Sequence, residues 1–573
     1  MNGPPVEVNS QQLEELARAV QDLRRRVALL EQRGLLTGEA GGPSLASSTI
    51  TASTPALGDV PTGVLSAVGR LLLGIAGAFL LRAITESAVI PQLAGTLVGL
   101  MYAYAWLVAS ARTGSANKMA IALQALTAAL IAGPLLWEAT VRFHSLTPTG
   151  GAAALTLFMV LGEVAAWRRD SAVLAGVTLC AGTVTAIVLI EATFALIPFA
   201  IALLAAAAVT EYGASRGRGL SVRWIVALAA DFAVFLLAYI ATRPEGLPEG
   251  YAPTPARAVA VALFSLAAIY LTSPAIRTLL ENLRVTWFEI AQAVASVAIA
   301  LWGGTRLAHG SALAAIGWVC MAVAAFGYLA AFGFAGRERV LHQNFHAFST
   351  LAIALMGIGG LLSLPNFAVA ALWSALAIVS VLLAQTRGNT LLMHGAVYSI
   401  AALSVSGGLS HAVVTLIGVP GRRWPEALWG AFVSLAAAFL VFGLILRSRP
   451  ERVRNWMDRV PSAIVAGALC WTLAGLAAGW LIRPGTDASL VSTIRTALVA
   501  GVALGLAWMG SRWNLPELIW ILYPWMIGGA LKLLAEDFRQ GGSKSLFVSL
   551  LLYGGTLAVL PNLIRRAERA RTC

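Results

Sequence analysis

Hydrophobic residues in this chain follow two patterns, which change over near residue 62. Between residues 6 and 30 they recur every three or four positions: Val6, Leu13, Leu16, Val20, Leu23, Val27 and Leu30, with Asn9 in the same register. Val6, Leu13, Val20 and Val27 then occupy heptad position a, and Asn9, Leu16, Leu23 and Leu30 position d. Mostly β-branched residues at a, with leucine at d, favour a parallel two-stranded coil. The pattern predicts a cytoplasmic coiled-coil helix over 1–34, through which the chain forms a homo-oligomer or engages a protein partner. The alternative is a surface helix docked on the protein's own loops. Residues 35–61 are mostly Gly, Ser, Thr, Ala and Pro with almost no charge. That composition predicts a flexible linker, with a root-mean-square span of roughly 28 Å for about 27 residues.

Past the linker the periodicity gives way to long apolar runs. The first, TGVLSAVGRLLLGIAGAFLL from Thr62 to Leu81, has the roughly 20 residues that a helix needs to cross about 30 Å of hydrocarbon. Later runs predict spans at 88–110, 119–138, 150–167, 171–190, 192–210, 223–241, 257–273, 286–303 and 311–334. They continue at 344–363, 366–385, 390–407, 426–446, 460–482, 490–510, 516–535 and 545–563. The fold class is therefore all-α: a polytopic integral membrane protein of about 18 transmembrane helices. The transmembrane helical domain runs over 62–565 and ends in a basic cytoplasmic tail, 566–573.

Composition agrees. The chain is 58% hydrophobic and 12% charged, about half the roughly 25% charge of soluble domains, so polar surface is too scarce to cover a water-soluble body. A net charge of +13 raises the question of a nucleic-acid partner, but such a partner needs basic residues clustered on one solvated face. Here they are spread in twos and threes between apolar runs, the distribution of cytoplasmic loops. The partner implied is the lipid bilayer, and no nucleic acid.

With the N-terminus inside, about 27 basic residues fall in inner segments and about 11 in outer ones, which predicts two cytoplasmic termini. The opening MNGPPVEVNSQQLEE has no apolar h-region, so no cleavable signal peptide is expected. Cys180, Cys320, Cys470 and Cys573 are far apart, which argues against a disulfide framework or a zinc site.

Ionisable residues inside spans are the default functional candidates in a membrane, because a central charge costs at least about 2.5 kcal/mol. Asp231 is the most embedded acid, and Arg70 and Arg495 are the embedded cations. Two readings of Asp231 stand. It serves a proton relay or binds a substrate amine from a wet cavity, or it pairs with Arg70 or Arg495 to fix helix packing. Glu163, Glu138 and Glu191 sit near span ends, where an interfacial place is expected; Glu163 completes the set of substrate-binding or ion-coupling candidates.

Gly407 and Gly408 interrupt an apolar stretch, as in the broken helices that line transporter sites; a short re-entrant or interfacial helix is the other reading. Gly95/Gly99, Gly475/Gly479 and Gly501/Gly505 have GxxxG spacing for close helix contact. His342 and His346 share a helical face, and His394 lies near the same end of another span. They lack the glutamate of HExxH, so no metal and no cofactor is expected. No nucleophile elbow, Walker loop or dinucleotide turn occurs, so no catalytic residue can be named.

The segments LEELARAVQDLRRRVALLEQR, VGRLLLGIAGAFLLRAI and ALKLLAEDFRQGGSKSLFVSLLLYGGTLAVLPNLIRR resemble a bacterial family of predicted polytopic membrane proteins of unknown function with an N-terminal coiled coil. The resemblance implies a bacterial inner-membrane location and carries over no catalytic residues. Three functions compete. A transporter or flippase-like protein for a small molecule or lipid predicts an internal cavity lined by Asp231, Arg70 and Arg495. A membrane-anchored assembly scaffold would act through residues 6–30. An integral-membrane enzyme acting on a lipid-linked substrate would need an acid–base pair on an outer loop, and none is recognisable.

Overall fold

A computed structural model describes residues 91–114, 118–217, 223–334, 342–387, 390–417, 428–447, 459–483, 485–538 and 542–572, with Gly69, Gly74, Ala76 and Gly77. All belong to one unit, Ala67–Cys573. The coiled coil of 1–34, the linker of 35–61, Arg70 and the side chains of His342 and the basic tail lie outside the described residues.

Among the described residues the fold is helical and without strands. In chain order the helices are α1 Gln92–Arg112, α2 Lys118–Trp137, α3 Pro148–Arg169, α4 Ala172–Thr193, α5 Leu196–Ser215 and α6 Arg223–Ala241. They continue with α7 Ala256–Leu279, α8 Trp287–Leu307, α9 Ser311–Phe334, α10 His342–Ser363, α11 Asn366–Arg387 and α12 Thr390–Val405. The last six are α13 Gly408–Ile417, α14 Leu428–Arg447, α15 Val460–Leu481, α16 Ala488–Arg512, α17 Pro516–Lys532 and α18 Ser543–Thr572. Sixteen helices are long and apolar enough to cross a bilayer, and the pair α12–α13, bent by 66°, makes a seventeenth if counted as one span. Each of the sixteen lies within several residues of a span predicted after the first, whereas the span predicted at 390–407 covers α12 alone, which joins α13 only through the bend. The chain is a multi-pass membrane protein.

Short connections and local caps set the helix ends. Thr147 accepts from Gly150 N at 3.2 Å and Ser171 from Leu174 N at 3.4 Å, each satisfying an N–H that the first helical turn leaves open. Asp170 and Phe194, at φ 51° and 54°, turn the chain out of α3 and α4 in the left-handed conformation common after a helix.

Packing among the described residues forms a first core running from Leu100 to Tyr270, a second from Cys320 to Leu469, and two smaller ones, around Leu416, Ala503 and Trp525 and around Ala466, Leu506 and Leu518. α5 is the most enclosed span, with 61% of its apolar window buried, against 17% for α9 and α18. Small residues let backbones touch. A Cβ on Gly317 would meet the Gly359 carbonyl at 2.7 Å, and one on Gly475 would run into the backbone of Ala412. Lipid offers no hydrophobic drive between helices, so this close contact carries much of the attraction. Of the other GxxxG candidates, a Cβ on Gly501 or Gly505 would meet no neighbouring element within 4 Å among the described residues, so that pair does not bring two backbones together there.

The chain turns sharply at Gly407, whose φ is +82°, a conformation that suits glycine because it has no Cβ. The turn separates α12 from the ten-residue α13.

Candidate functional site

Two polar clusters are buried in the bundle, one in each half of the chain. The first is built from α5, α6, α7 and α8. Thr286 caps α8 in a reciprocal box with Glu289: Glu289 N donates to Thr286 Oγ1 at 3.3 Å, and Thr286 N donates to Glu289 Oε2 at 2.8 Å. This lock holds the Glu289 carboxylate between two cations. Arg223, the first residue of α6, lies 3.4 Å from Glu289 Oε1 and 3.8 Å from Glu211 Oε2. Arg277 of α7 pairs with Glu289 as well. Ser273, one turn earlier on α7, donates to Glu211 Oε2 at 2.7 Å. Arg223 also donates to Thr286 Oγ1 at 3.2 Å and lies over the Phe288 ring at 4.4 Å. Two guanidinium groups and two carboxylates balance, as buried charges must.

From this end the polar groups continue inward. Gln292, three residues beyond Glu289, donates from Nε2 to Asp231 Oδ2 at 2.8 Å. Asp231 stands eight residues after Arg223 on α6, about 12 Å along the helix. It is 8% exposed, and its Oδ1 has no hydrogen-bond partner among the described residues. Tyr270, three residues before Ser273 on α7, is buried as well. By position along the helices these groups form a ladder from Arg223 and Glu289 through Glu211, Ser273 and Tyr270 to Asp231 and Gln292, although no hydrogen bond among the described residues joins the Glu211–Ser273 pair to the Asp231–Gln292 pair.

The second cluster joins α13, α16 and α17. Arg495 donates from Nε to the Thr415 carbonyl at 2.8 Å and from Nη1 to Glu536 Oε1 at 2.6 Å. Lys532 donates to the Ser492 carbonyl at 2.6 Å and Thr496 Oγ1 at 2.7 Å, lies 3.7 Å from Glu536 and pairs with Asp537. Thr496 donates to Asp537 Oδ1 at 3.2 Å. Glu536 and Asp537 sit in a π-helical turn, Leu533–Asp537, at the end of α17. That wider turn places two consecutive acids toward α16. Among the described residues this cluster too holds two cations and two carboxylates.

The structure does not bring Asp231 and Arg495 together. Asp231 answers Gln292, and Arg495 answers Glu536 and the backbone of α13; the expected ion pair between them is replaced by these contacts, and Arg70 lies outside the described residues. Glu163, expected near an interface, is 0% exposed, and neither of its oxygens has a hydrogen bond of good geometry. The polar group beside it is the indole of Trp167, one turn on. Glu191 is exposed, and Glu138 is buried in a π-helical turn, Glu138–Arg142.

His346 is exposed, whereas His394 is buried with its ring 6.0 Å from Tyr328 and 6.4 Å from Phe345. Among the described residues no three His, Cys, Asp or Glu side chains converge as metal ligands would.

Two apolar grooves open on the surface of the bundle. One, of about 800 Å³, runs between α7, α8, α9 and α10. The other, of about 750 Å³, runs between α5, α6 and α7. Neither is lined by Asp231, Glu163 or Arg495, so neither is the charged internal cavity expected of a transporter.

Reading the sequence missed Glu211, Glu289, Gln292, Lys532, Glu536 and Asp537. For Glu289 a signal was present, because Thr286-Trp-Phe-Glu289 has capping-box spacing. Lys532 and Glu536 are four apart on one helical face. Glu211 and Gln292 carry no such mark.

No protein-family model, no curated protein and no solved structure matches this chain.

Proposed function

We propose that this chain is a membrane transporter for a small molecule or lipid, coupled to protons carried by Asp231. The observation supporting this reading is the setting of that carboxylate: about 12 Å into the bundle, with Oδ2 held by Gln292 and Oδ1 without a donor. A bare charge at membrane depth costs at least about 2.5 kcal/mol, and such groups mark ion pathways in pumps and carriers. A proton or a bound cation completes Asp231. The ladder of Glu211, Ser273 and Tyr270 gives it polar neighbours toward one end of the bundle, where Arg223, Arg277 and Glu289 close the route. On this reading the protein sits in a bacterial inner membrane with both termini in the cytoplasm.

The test needs no knowledge of the cargo. The full chain is reconstituted in proteoliposomes on a solid-supported membrane and exposed to a sudden pH step. A proton entering Asp231 produces a transient displacement current, and Asp231→Asn removes it while leaving the protein folded. Equal currents from wild type and Asp231→Asn, or none from wild type, would rule the reading out.

The heptad register of residues 6–30 supports a second, compatible reading, in which copies of the chain assemble through their N-termini. Deleting residues 1–34 should then reduce the oligomer size measured by light scattering in detergent; an unchanged mass would end that idea.

A further inference from the structure

The groove between α5, α6 and α7 has a shape and a charge that the transport reading does not use. α5 and α7 are separated by one span, so they start at the same face of the bundle and run in the same direction. At their far ends Ser273 of α7 is hydrogen-bonded to Glu211 of α5 at 2.7 Å. At their near ends they part, and the gap is floored by Leu237 of α6. Its walls are apolar or small, among them Ile197, Ile201 and Leu204 of α5 and Val261 and Ile269 of α7. One charged residue lines it, Arg257, in the first turn of α7 at the open end. Arg257 is exposed and has no ion pair or hydrogen bond among the described residues. Phe194 and Tyr251 stack edge to face at 5.1 Å in the adjoining turns, at the level where aromatic side chains mark the membrane–water boundary.

The dimensions identify an occupant. From Arg257 to Ile269 the groove follows twelve residues of α7, about 18 Å. One leaflet of a bilayer core is about 15 Å deep. The slot therefore starts at headgroup level, ends near the midplane and carries its only cation at the headgroup end. The larger groove differs on both counts: it extends from Ala260 to Leu280 along α7, most of the membrane's thickness, and no charged residue lines it.

We infer that this slot binds an anionic phospholipid of the surrounding leaflet, with one acyl chain between α5 and α7 and the phosphate on Arg257. The guanidinium offers paired donors to a phosphate, and an acyl chain fills the apolar length below it. Bound there, the lipid wedges the near ends of the two helices whose far ends hold Glu211 and Ser273.

The experiment measures binding of phosphatidylglycerol and phosphatidylcholine to the purified full chain in detergent, by native mass spectrometry and by the lipid-induced rise in melting temperature. Phosphatidylglycerol should bind more tightly and stabilise more. A basic group near a lipid surface contributes about 1 kcal/mol, so Arg257→Gln should weaken phosphatidylglycerol about fivefold and phosphatidylcholine, whose phosphate is already balanced by its own choline, much less. Val261→Trp, at an exposed position of the slot, should weaken both lipids by filling it. Arg243→Gln removes a cation at the same end that does not line the slot, and should change neither.

Photo-crosslinking with an acyl-chain probe on phosphatidylglycerol should label peptides from α5 and α7, and Val261→Trp should abolish the label. Equal binding of the two lipids, or a phosphatidylglycerol preference that survives Arg257→Gln, would overturn the assignment. Labelling confined to other helices would do the same.

Discussion

Arg495 donates through Nε to the carbonyl of Thr415 at 2.8 Å, across 80 residues of sequence. Thr415 lies in the last turn of α13, where carbonyls lose their partners in the helix itself. In water those carbonyls would be hydrated; in a membrane they need a donor from the protein. Arg495 supplies one, places a positive charge at the negative end of the α13 dipole, and balances its own charge on Glu536. The intramembrane arginine is thus accounted for by the short helix it caps.

Arg495→Ala should destabilise the protein by about 3–5 kcal/mol, the usual cost of leaving one member of a buried pair alone. Arg495→Lys should recover only part of this, because an ammonium group cannot present the same planar set of donors to Thr415 and Glu536. Chemical denaturation in detergent measures both. A change under about 1 kcal/mol for the alanine variant would mean that the cluster contributes little.

Gly475 and Gly501 have the same spacing motif but different surroundings. Gly475→Ala drives a methyl group into the backbone of Ala412, so α13 must move away from α15, with a loss above about 2 kcal/mol expected for overpacking at a backbone contact. Gly501→Ala meets open space and should be neutral or stabilising, since alanine is the better helix former by about 1 kcal/mol. Melting temperatures of the two variants, measured side by side, decide whether the contact matters.

Ser273→Ala removes the 2.7 Å hydrogen bond to Glu211. Hydrogen bonds to charged groups contribute about 1.5–3 kcal/mol, and a loss in that range is expected. The double variant Ser273→Ala with Glu211→Gln should cost less than the sum of the two single changes. Strict additivity in the double-mutant cycle would show that the bond does not couple α5 to α7.

Glu163 is fully enclosed, and its carboxylate has no cation among the ion pairs described. Removing an uncompensated buried acid relieves desolvation, so Glu163→Gln should hold or raise stability, by up to about 2 kcal/mol. Should Glu163→Gln instead remove the displacement current proposed for Asp231 while remaining folded, the residue would join the proposed proton route.

The helical membrane fold was legible because the signal is the length of apolar runs, which bilayer thickness sets directly. Sixteen predicted spans coincide with described helices, and the one at 390–407 matches only the first arm of the bent pair. The break at Gly407 was visible because glycine pairs interrupt such runs. Partnerships were not legible. Asp231 was identified as embedded from its own segment, but its partner Gln292 is 61 residues away and lies in a helix that reads as ordinary span. Arg495 was identified in the same way, yet its acids come from a π-helical turn whose geometry no spacing rule announces. Burial of a charge is encoded locally, whereas the group that answers it depends on which helices pack together.

The depth of Asp231 also has an electrical consequence. A proton reaching it from the Arg223 end travels about 12 Å into a core of about 30 Å, some two-fifths of the membrane field. Moving one charge through 100 mV is worth about 2.3 kcal/mol, so this partial passage is worth about 0.9 kcal/mol. If Asp231 carries protons as proposed, its occupancy should therefore change by roughly fivefold per 100 mV, and the carboxylate would sense membrane voltage as well as proton concentration.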